Sequence, residues 1–120
     1  MQEENIGTVK ISDDVITACA ASAALQIEGV CQLAGGFTDN LSINILGKEP
    51  EGKGIKLSRD EEGISLDVYV IVAYRVKIPQ LAWDIQSHVK SEIESVTGLK
   101  VKEVNIHVQG VSLPGEEDKN

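Results

Sequence analysis

The sequence predicts an α+β fold, a two-layer sandwich in which two main helices cover one face of a small mixed β-sheet. Two stretches, Leu66–Tyr74 and Val104–Val108, alternate in their side chains with the period of a strand buried on one face. Two other stretches, within residues 13–28 and 79–97, repeat apolar residues at spacings of three and four, as an amphipathic helix does. Together with weaker segments they give the order β-α-(β)-β-β-α-β.

The first part of the chain predicts a short strand followed by a helix. Gly7–Ile11 alternates apolar and polar residues, and Ser12 is a favourable N-cap because its hydroxyl can accept a bond from the first helical turn. The apolar side of the helix is small and would allow close packing; it comprises Ile16, Cys19, Ala20, Ala23 and Ile27. Gly29 is expected to end the helix, and Val30–Leu33 to form a short strand.

The middle of the chain is ambiguous before it becomes clear. In residues 38–46, Leu41, Ile45 and Leu46 suit a short helix, which is slightly favoured. The alternative is a strand, with Leu41, Ile43 and Ile45 on one side. Residues 47–54 are polar and rich in glycine, as a loop is.

A β-hairpin is predicted next, with its turn at residues 60–63. The inner face of its second strand comprises Leu66, Val68, Val70, Val72 and Tyr74. The opposite face is also partly apolar, because it carries Tyr69, Ile71 and Ala73. A strand that is apolar on both sides is usually central in its sheet or covered by a partner.

The last helix and strand have clear limits. Pro79 suits the first helical turn, and Gly98 suits the position just past the helix end. The apolar stripe between them comprises Leu81, Ala82, Ile85, Val89, Ile93 and Val96. In the final strand, Val101 and Val104 have opposite parity, so either a β-bulge between them or a later start of the strand is expected.

Composition predicts one cytoplasmic domain over residues 7–113, between a flexible N-terminus (1–6) and a disordered acidic tail (114–120). The net charge is −8, with 19 acidic and 11 basic residues, which argues against nucleic acid as a partner. The longest apolar run is too short to cross a membrane, so direct membrane insertion is not expected. The N-terminus also lacks the basic start and apolar block of a signal peptide.

No arrangement of residues predicts catalysis, a metal or a cofactor. The two histidines, His88 and His107, have no second histidine or cysteine at ligand spacing, and the cysteines form no CxxC motif. The serines lie in no GxSxG motif, and the glycines have neither Walker A nor GxGxxG spacing. The sequence therefore predicts a protein that is not an enzyme.

The outer face of the sheet is the candidate functional surface. The residues predicted to form a contact face for self-association or for a protein partner are Tyr69, Ile71, Arg75, Asn105, His107 and Gln109. The apolar pair Tyr69 and Ile71 would lie at its centre, with polar residues as the rim. A plain solvated sheet face is the alternative, because antiparallel sheets often leave one side in water.

Four blocks of sequence resemble one protein family. They are GTVKISDDVI, IEGVCQLAGG, IPQLAWDIQSHVKSEIESVTGL and GLKVKEVNIHVQGV, and with the hairpin they cover about residues 6–113. They are similar to the alkaline shock protein twenty-three family, the Gls-type envelope stress proteins of Gram-positive bacteria. One position departs from the family, since Tyr74-Arg75 stands where members commonly have Tyr-Gly.

The resemblance implies a non-enzymatic cytoplasmic protein of the cell envelope stress response, acting as a domain for protein–protein interaction and assembly. Some members self-assemble and are held near the membrane by a separate anchor protein. Short members, which this chain is more similar to, imply an alternative, the regulation of acetyl-CoA carboxylase in fatty-acid synthesis through protein contacts. The partners implied are thus further copies of the chain, a membrane anchor protein or a lipid-synthesis enzyme. If the family's glycine has positive φ, either Arg75 is strained at that position or the bulge there differs from the family's.

Overall fold

A computed structural model describes residues 6–34 and 54–113 of the chain. The elements in chain order are α1 (Asp13–Leu25), β1 (Val30–Leu33), β2 (Ile55–Asp60), β3 (Gly63–Ala73), α2 (Ile78–Thr97) and β4 (Val101–Ser112). The α+β class, the hairpin and both main helices are confirmed. The predictions for residues 38–46 and 47–53, and for the ends 1–5 and 114–120, lie outside the described residues.

The sheet is mixed, and β3 is its central strand. One edge of β3 pairs in parallel with β4, and the other edge pairs antiparallel with β1 and β2. β1 and β2 lie one after the other along that second edge, because β1 pairs with residues 70–72 of β3 and β2 with residues 63–68. Three elements of the chain therefore depend on β3 for their hydrogen bonds.

Tyr69 marks the junction between β1 and β2. Its carbonyl accepts a hydrogen bond from the N–H of Ala34 at 2.7 Å, and its own N–H donates to the carbonyl of Gly54 at 2.8 Å. The end of β1 and the start of β2 thus meet at the same residue of β3. Gly54 is needed there, since φ is 91° and a Cβ would lie 2.8 Å from the Cβ of Leu33.

The core lies between the inner face of the sheet and the two helices, as the two-layer prediction requires. The inner row of β3 is fully buried and comprises Leu66, Val68, Val70 and Val72. The helices contribute Ile16, Ala20, Ala23, Ala24, Leu81, Ile85, Val89 and Ile93 to the same cluster. Two predicted core residues are outside it: Val96 is 63% exposed near the end of α2, and Tyr74 is 48% exposed just after β3 ends.

Helix α1 begins as predicted but ends earlier. The hydroxyl oxygen of Ser12 accepts a hydrogen bond from the N–H of Val15 at 3.3 Å. The last helical residue is Leu25, with Gln26 as C-cap, so Gly29 follows the helix end by several residues. The buried alanines let α1 lie close to the sheet and to α2, and the side chains of Gln26 and His88 are joined at 2.7 Å.

The strand predicted at Gly7–Ile11 is wrong. This segment is not part of the sheet, and Val9 is 87% exposed. Arg59 of β2 holds its end through side-chain contacts, donating to the carbonyl of Ile11 at 3.0 Å and pairing with Asp13 at 2.8 Å. Two apolar residues bury too little surface to outweigh the entropy of ordering a strand.

Helix α2 binds the outer edge of β4 through three polar side chains spaced four residues apart. Gln86 donates to the carbonyl of Val104 at 2.9 Å, and Lys90 donates to the carbonyl of Val101 at 2.8 Å. The carboxylate of Glu94 accepts from the N–H of Val101 at 2.9 Å. These contacts satisfy backbone groups of an edge strand that would otherwise face water.

Strand β4 contains two bulges. Its pairing shifts between Val101 and Glu103, so the change of parity is a bulge and not a later start of the strand. A second shift, between Val108 and Gly110, leaves Gln109 without an opposite residue on β3. The regular part of β4 is therefore the short stretch between these two bulges.

Arg75 has a φ of 80°, and among the described residues it is the one non-glycine residue with positive φ. Its guanidinium carbon lies 5.6 Å from the centre of the Tyr74 ring. The left-handed region costs an L-residue roughly 1–2 kcal/mol, and glycine avoids this cost. The expectation of strain at this departure from the family pattern is confirmed.

Arg75→Gly is expected to raise the free energy of unfolding by about 1 kcal/mol, because it removes the strained φ. Arg75→Ala is the matched control, since it removes the same side chain but keeps a Cβ. Urea denaturation of both variants measures the effect. A glycine variant no more stable than the alanine variant would contradict the prediction.

Glu94→Gln is expected to lower stability near neutral pH. The bond from the Val101 N–H, followed by that from Lys90, holds the pKa of Glu94 below its ordinary value. A group whose pKa is lowered by folding stabilises the fold at pH values above its unfolded-state pKa, and this contribution is lost as the pH falls through its folded-state pKa. The difference in stability between wild type and variant should therefore become smaller in acid. Urea midpoints over a pH series measure it, with Glu61→Gln in the exposed hairpin turn as control; a gap that stays constant with pH contradicts this assignment.

Candidate interaction face

The face of the sheet opposite the helices, here called the outer face, is organised by the parallel register of β3 and β4. Tyr69 pairs with His107, and Asp67 pairs with Asn105 one row below. One row above, Ile71 pairs with Gly110. Side chains that are paired across neighbouring strands point to the same face, so these rows meet in one continuous surface.

The centre of the outer face is a stack of two rings. The Tyr69 and His107 rings lie with centroids 4.4 Å apart and planes 12° from parallel. On one side, Nε2 of His107 lies 2.9 Å from Oδ1 of Asp67. On the other, the ammonium nitrogen of Lys56 in β2 lies 5.6 Å from the centre of the Tyr69 ring. The cluster therefore joins three strands, and every member is held by a neighbour.

The electrostatics of this cluster follow from the roles of its atoms. A carboxylate can only accept, so the imidazole Nε2 carries the proton that it shares with Asp67. The histidine and aspartate side chains are 40% and 37% exposed, so solvent screens the pair only in part. The Lys56 cation over the Tyr69 ring adds an attraction of about 0.5–1 kcal/mol.

The predicted site residues separate into three groups. Tyr69, Asn105 and His107 come together, and Ile71 lies in the adjoining row, where a Cβ on Gly110 would be 3.1 Å from its Cδ1. Gln109 lies in the second bulge of β4 and is exposed. Arg75 lies past the end of β3, in a turn, and contacts Tyr74 rather than the stacked rings.

Asp67 and Lys56 belong to the cluster but were not among the predicted site residues. Both have the parity of the outer face, so alternation could have identified them. Their contacts with His107 and Tyr69 depend on the pairing of β3 with β2 and β4, which parity does not specify. Trp83 was also not predicted as a site residue, although it is 63% exposed on α2. Its position outside the apolar stripe of that helix could have indicated an exposed tryptophan.

The outer face offers recognition chemistry, namely stacked rings with a flanking carboxylate and ammonium group. The His107–Asp67 pair lies on the face of an open sheet. The imidazole of His107 also stacks on the ring of Tyr69. Within residues 6–34 and 54–113, no group of three or more His, Cys, Asp or Glu side chains is placed to hold a metal ion. No helix of that part of the chain has the length and apolarity that crossing a membrane requires.

Solved structures share this architecture. A variant of the MamM CTD superposes with a TM-score of 0.51 over 82% of this chain and 98% of that one, at 11% sequence identity. At this identity the likeness concerns the fold alone.

Similar sequences extend over almost the whole chain. The Bacillus subtilis protein YqhY is 33% identical over 112 residues, which are 93% of this chain and 82% of YqhY. Spy1614 of Streptococcus pyogenes serotype M6 is 38% identical over 112 residues, 92% of each chain. A gls24-homologue stress response regulator of Streptococcus pyogenes serotype M3 is 26% identical over 102 residues, which are 85% of this chain but 57% of the regulator.

A family model decides the relationship, because it matches residues 1–113 and so contains all four blocks that carry the resemblance. Its description is a family with a cell envelope-related function. The chain therefore belongs to the alkaline shock protein twenty-three family of cell envelope-related proteins.

Proposed function

We propose that this chain is a non-enzymatic assembly domain of the envelope stress response, which associates through its outer face with copies of itself and with a partner protein. The observation that carries the proposal is the Tyr69–His107 stack at the centre of that face. An aromatic centre with polar groups around it is the usual anatomy of a protein interface.

The restrained positions of the stacked Tyr69 and His107 rings support this function. Asp67 and Lys56 restrain the two rings from opposite sides, so little side-chain entropy remains to be lost when a partner binds. Ile71 extends the apolar area by one row beside Gly110. Aromatic side chains that are already ordered are the residues most often found to dominate binding energy.

Tyr69→Asp and Ile71→Asp are expected to weaken association while leaving the fold intact, because both side chains point away from the core. Loss of a central contact typically costs about 2 kcal/mol or more, which is roughly thirtyfold in affinity. Sedimentation velocity of the purified protein measures the effect. Ser22→Asp places the same charge on the exposed side of α1, away from the outer face, and is the matched control. Variants that remain as associated as wild type would assign association to another surface.

The proposed setting is the cytoplasm, with a separate anchor protein holding the assembly near the membrane. The alternative from the short family members is contact with acetyl-CoA carboxylase. Co-purification from the native host distinguishes the two, since one outcome recovers a membrane protein and the other recovers carboxylase subunits. The same experiment with Tyr69→Asp shows whether the outer face makes the contact.

A further inference from the structure

Within residues 6–34 and 54–113, α2 covers the edge of β4 that faces away from β3 over only part of its length. The bonds from Gln86 and Lys90 show that the carbonyls of Val101 and Val104 point away from β3. Backbone groups alternate in direction along a strand, so those of Ile106 and Val108 point to this same edge. Among the described residues, hydrogen bonds from α2 reach this edge no further than Val104.

The uncovered edge is regular enough to pair with another strand. The two bulges of β4 lie on either side of it, at Lys102 and Gln109, and the pairing between them is unbroken from Glu103 to Val108. Proteins often protect an edge strand against pairing with another chain by a bulge, a proline or a covering element within the regular part of the strand. Ile106 and Val108 are instead partly buried apolar residues on the helix side of the strand.

Trp83 lies in a groove beside this edge. The groove has a volume of about 320 Å³ and is lined by Trp83, Gln86, Ser87, Lys90, Glu103, Val104 and Asn105. Trp83 is one helical turn before Gln86, on the side of α2 that faces β4, and 63% of it is exposed. An edge strand beside a helix with an exposed aromatic residue is the arrangement that accepts an extended peptide as an added strand.

The charges around the groove indicate the composition of that peptide. The groove lining carries two charged residues, Lys90 and Glu103, and Lys90 is already paired with Glu94 at 2.9 Å. Glu103 is exposed beside Asn105 on the outer-face side of β4, so neighbouring side chains of an added strand would meet its carboxylate. On the helix side they would meet Trp83 and Ile106, which favour apolar groups. The excess of acidic over basic residues in the chain, 19 against 11, likewise favours a basic partner segment.

We propose that the β4 edge between Val104 and Val108 binds an extended segment of a partner protein in which apolar residues alternate with basic residues. The segment adds a strand to the sheet, with its apolar side chains towards Trp83 and its basic side chains towards Glu103. This site is separate from the outer face and does not depend on association there.

A capped synthetic peptide with alternating valine and lysine tests the proposal. Trp83 is the one tryptophan of the chain, so its fluorescence reports occupancy of the groove directly. Binding is expected to shift the emission to shorter wavelength and to slow exchange of the Ile106 and Val108 amide protons. Replacing the lysines of the peptide by glutamates is expected to abolish binding.

The decisive comparison is the same peptide N-methylated at alternate amides, which keeps every side chain and charge but cannot pair with the edge. Losing two or more backbone hydrogen bonds is expected to weaken binding about tenfold or more. Ile106→Pro, which removes one donor of the edge, is expected to do the same once circular dichroism shows an intact fold. Tyr69→Asp, on the outer face, is the control that should bind the peptide as wild type does.

Three results would overturn the proposal. They are no binding of the unmodified peptide, equal binding of its N-methylated form, and protection of the edge amides by a dimer in the protein alone. The last would mean that a second copy occupies the edge.

Discussion

The packing of β3 is the constraint on which the rest of the structure depends. Its inner row is fully buried under both helices, and its backbone provides hydrogen bonds to β1, β2 and β4. Burying each such Val or Leu contributes about 1.5–3 kcal/mol, so this one row specifies which face of the sheet is inside. The opposite row is then left outside, and Asp67, Tyr69 and Ile71 become surface residues.

Tyr69 connects the architecture to the proposed function. Its backbone bonds to Ala34 after β1 and to Gly54 before β2, and its ring stacks on His107. Because Tyr69 lies in the central strand, with β1 and β2 on one edge and β4 on the other, the ring stands on a rigid part of the molecule. A surface of this kind changes little when it binds, which suits an assembly domain more than a site that must close over a substrate.

The two ends of β4 differ in how the backbone groups on the edge away from β3 are bonded. At its start, Gln86, Lys90 and Glu94 cover the backbone, and the groove of Trp83 adjoins Glu103–Asn105, where this cover ends. The two proposals concern different groups of the same strand, namely side chains of the outer face and backbone groups of the edge. The likeness to the MamM CTD shows the fold alone, and the family relationship supports the envelope setting.

The sequence by itself determined the helices, the hairpin and the buried row of β3, because periodicity and capping are local properties, and four sequence blocks indicated the family. For the change of parity in β4 it left a bulge and a later strand start as alternatives. It also indicated strain at Arg75, which φ of 80° confirms. It failed at Gly7–Ile11, Tyr74 and Val96, because a local apolar pattern does not specify whether another element lies over it; Val9, Tyr74 and Val96 are exposed. The Asp67–His107 contact, the second bulge at Gln109 and the partly covered edge of β4 were decided only by the tertiary structure. Each depends on which residues pair across strands or lie under α2, and alternation along one strand contains no information about its neighbours.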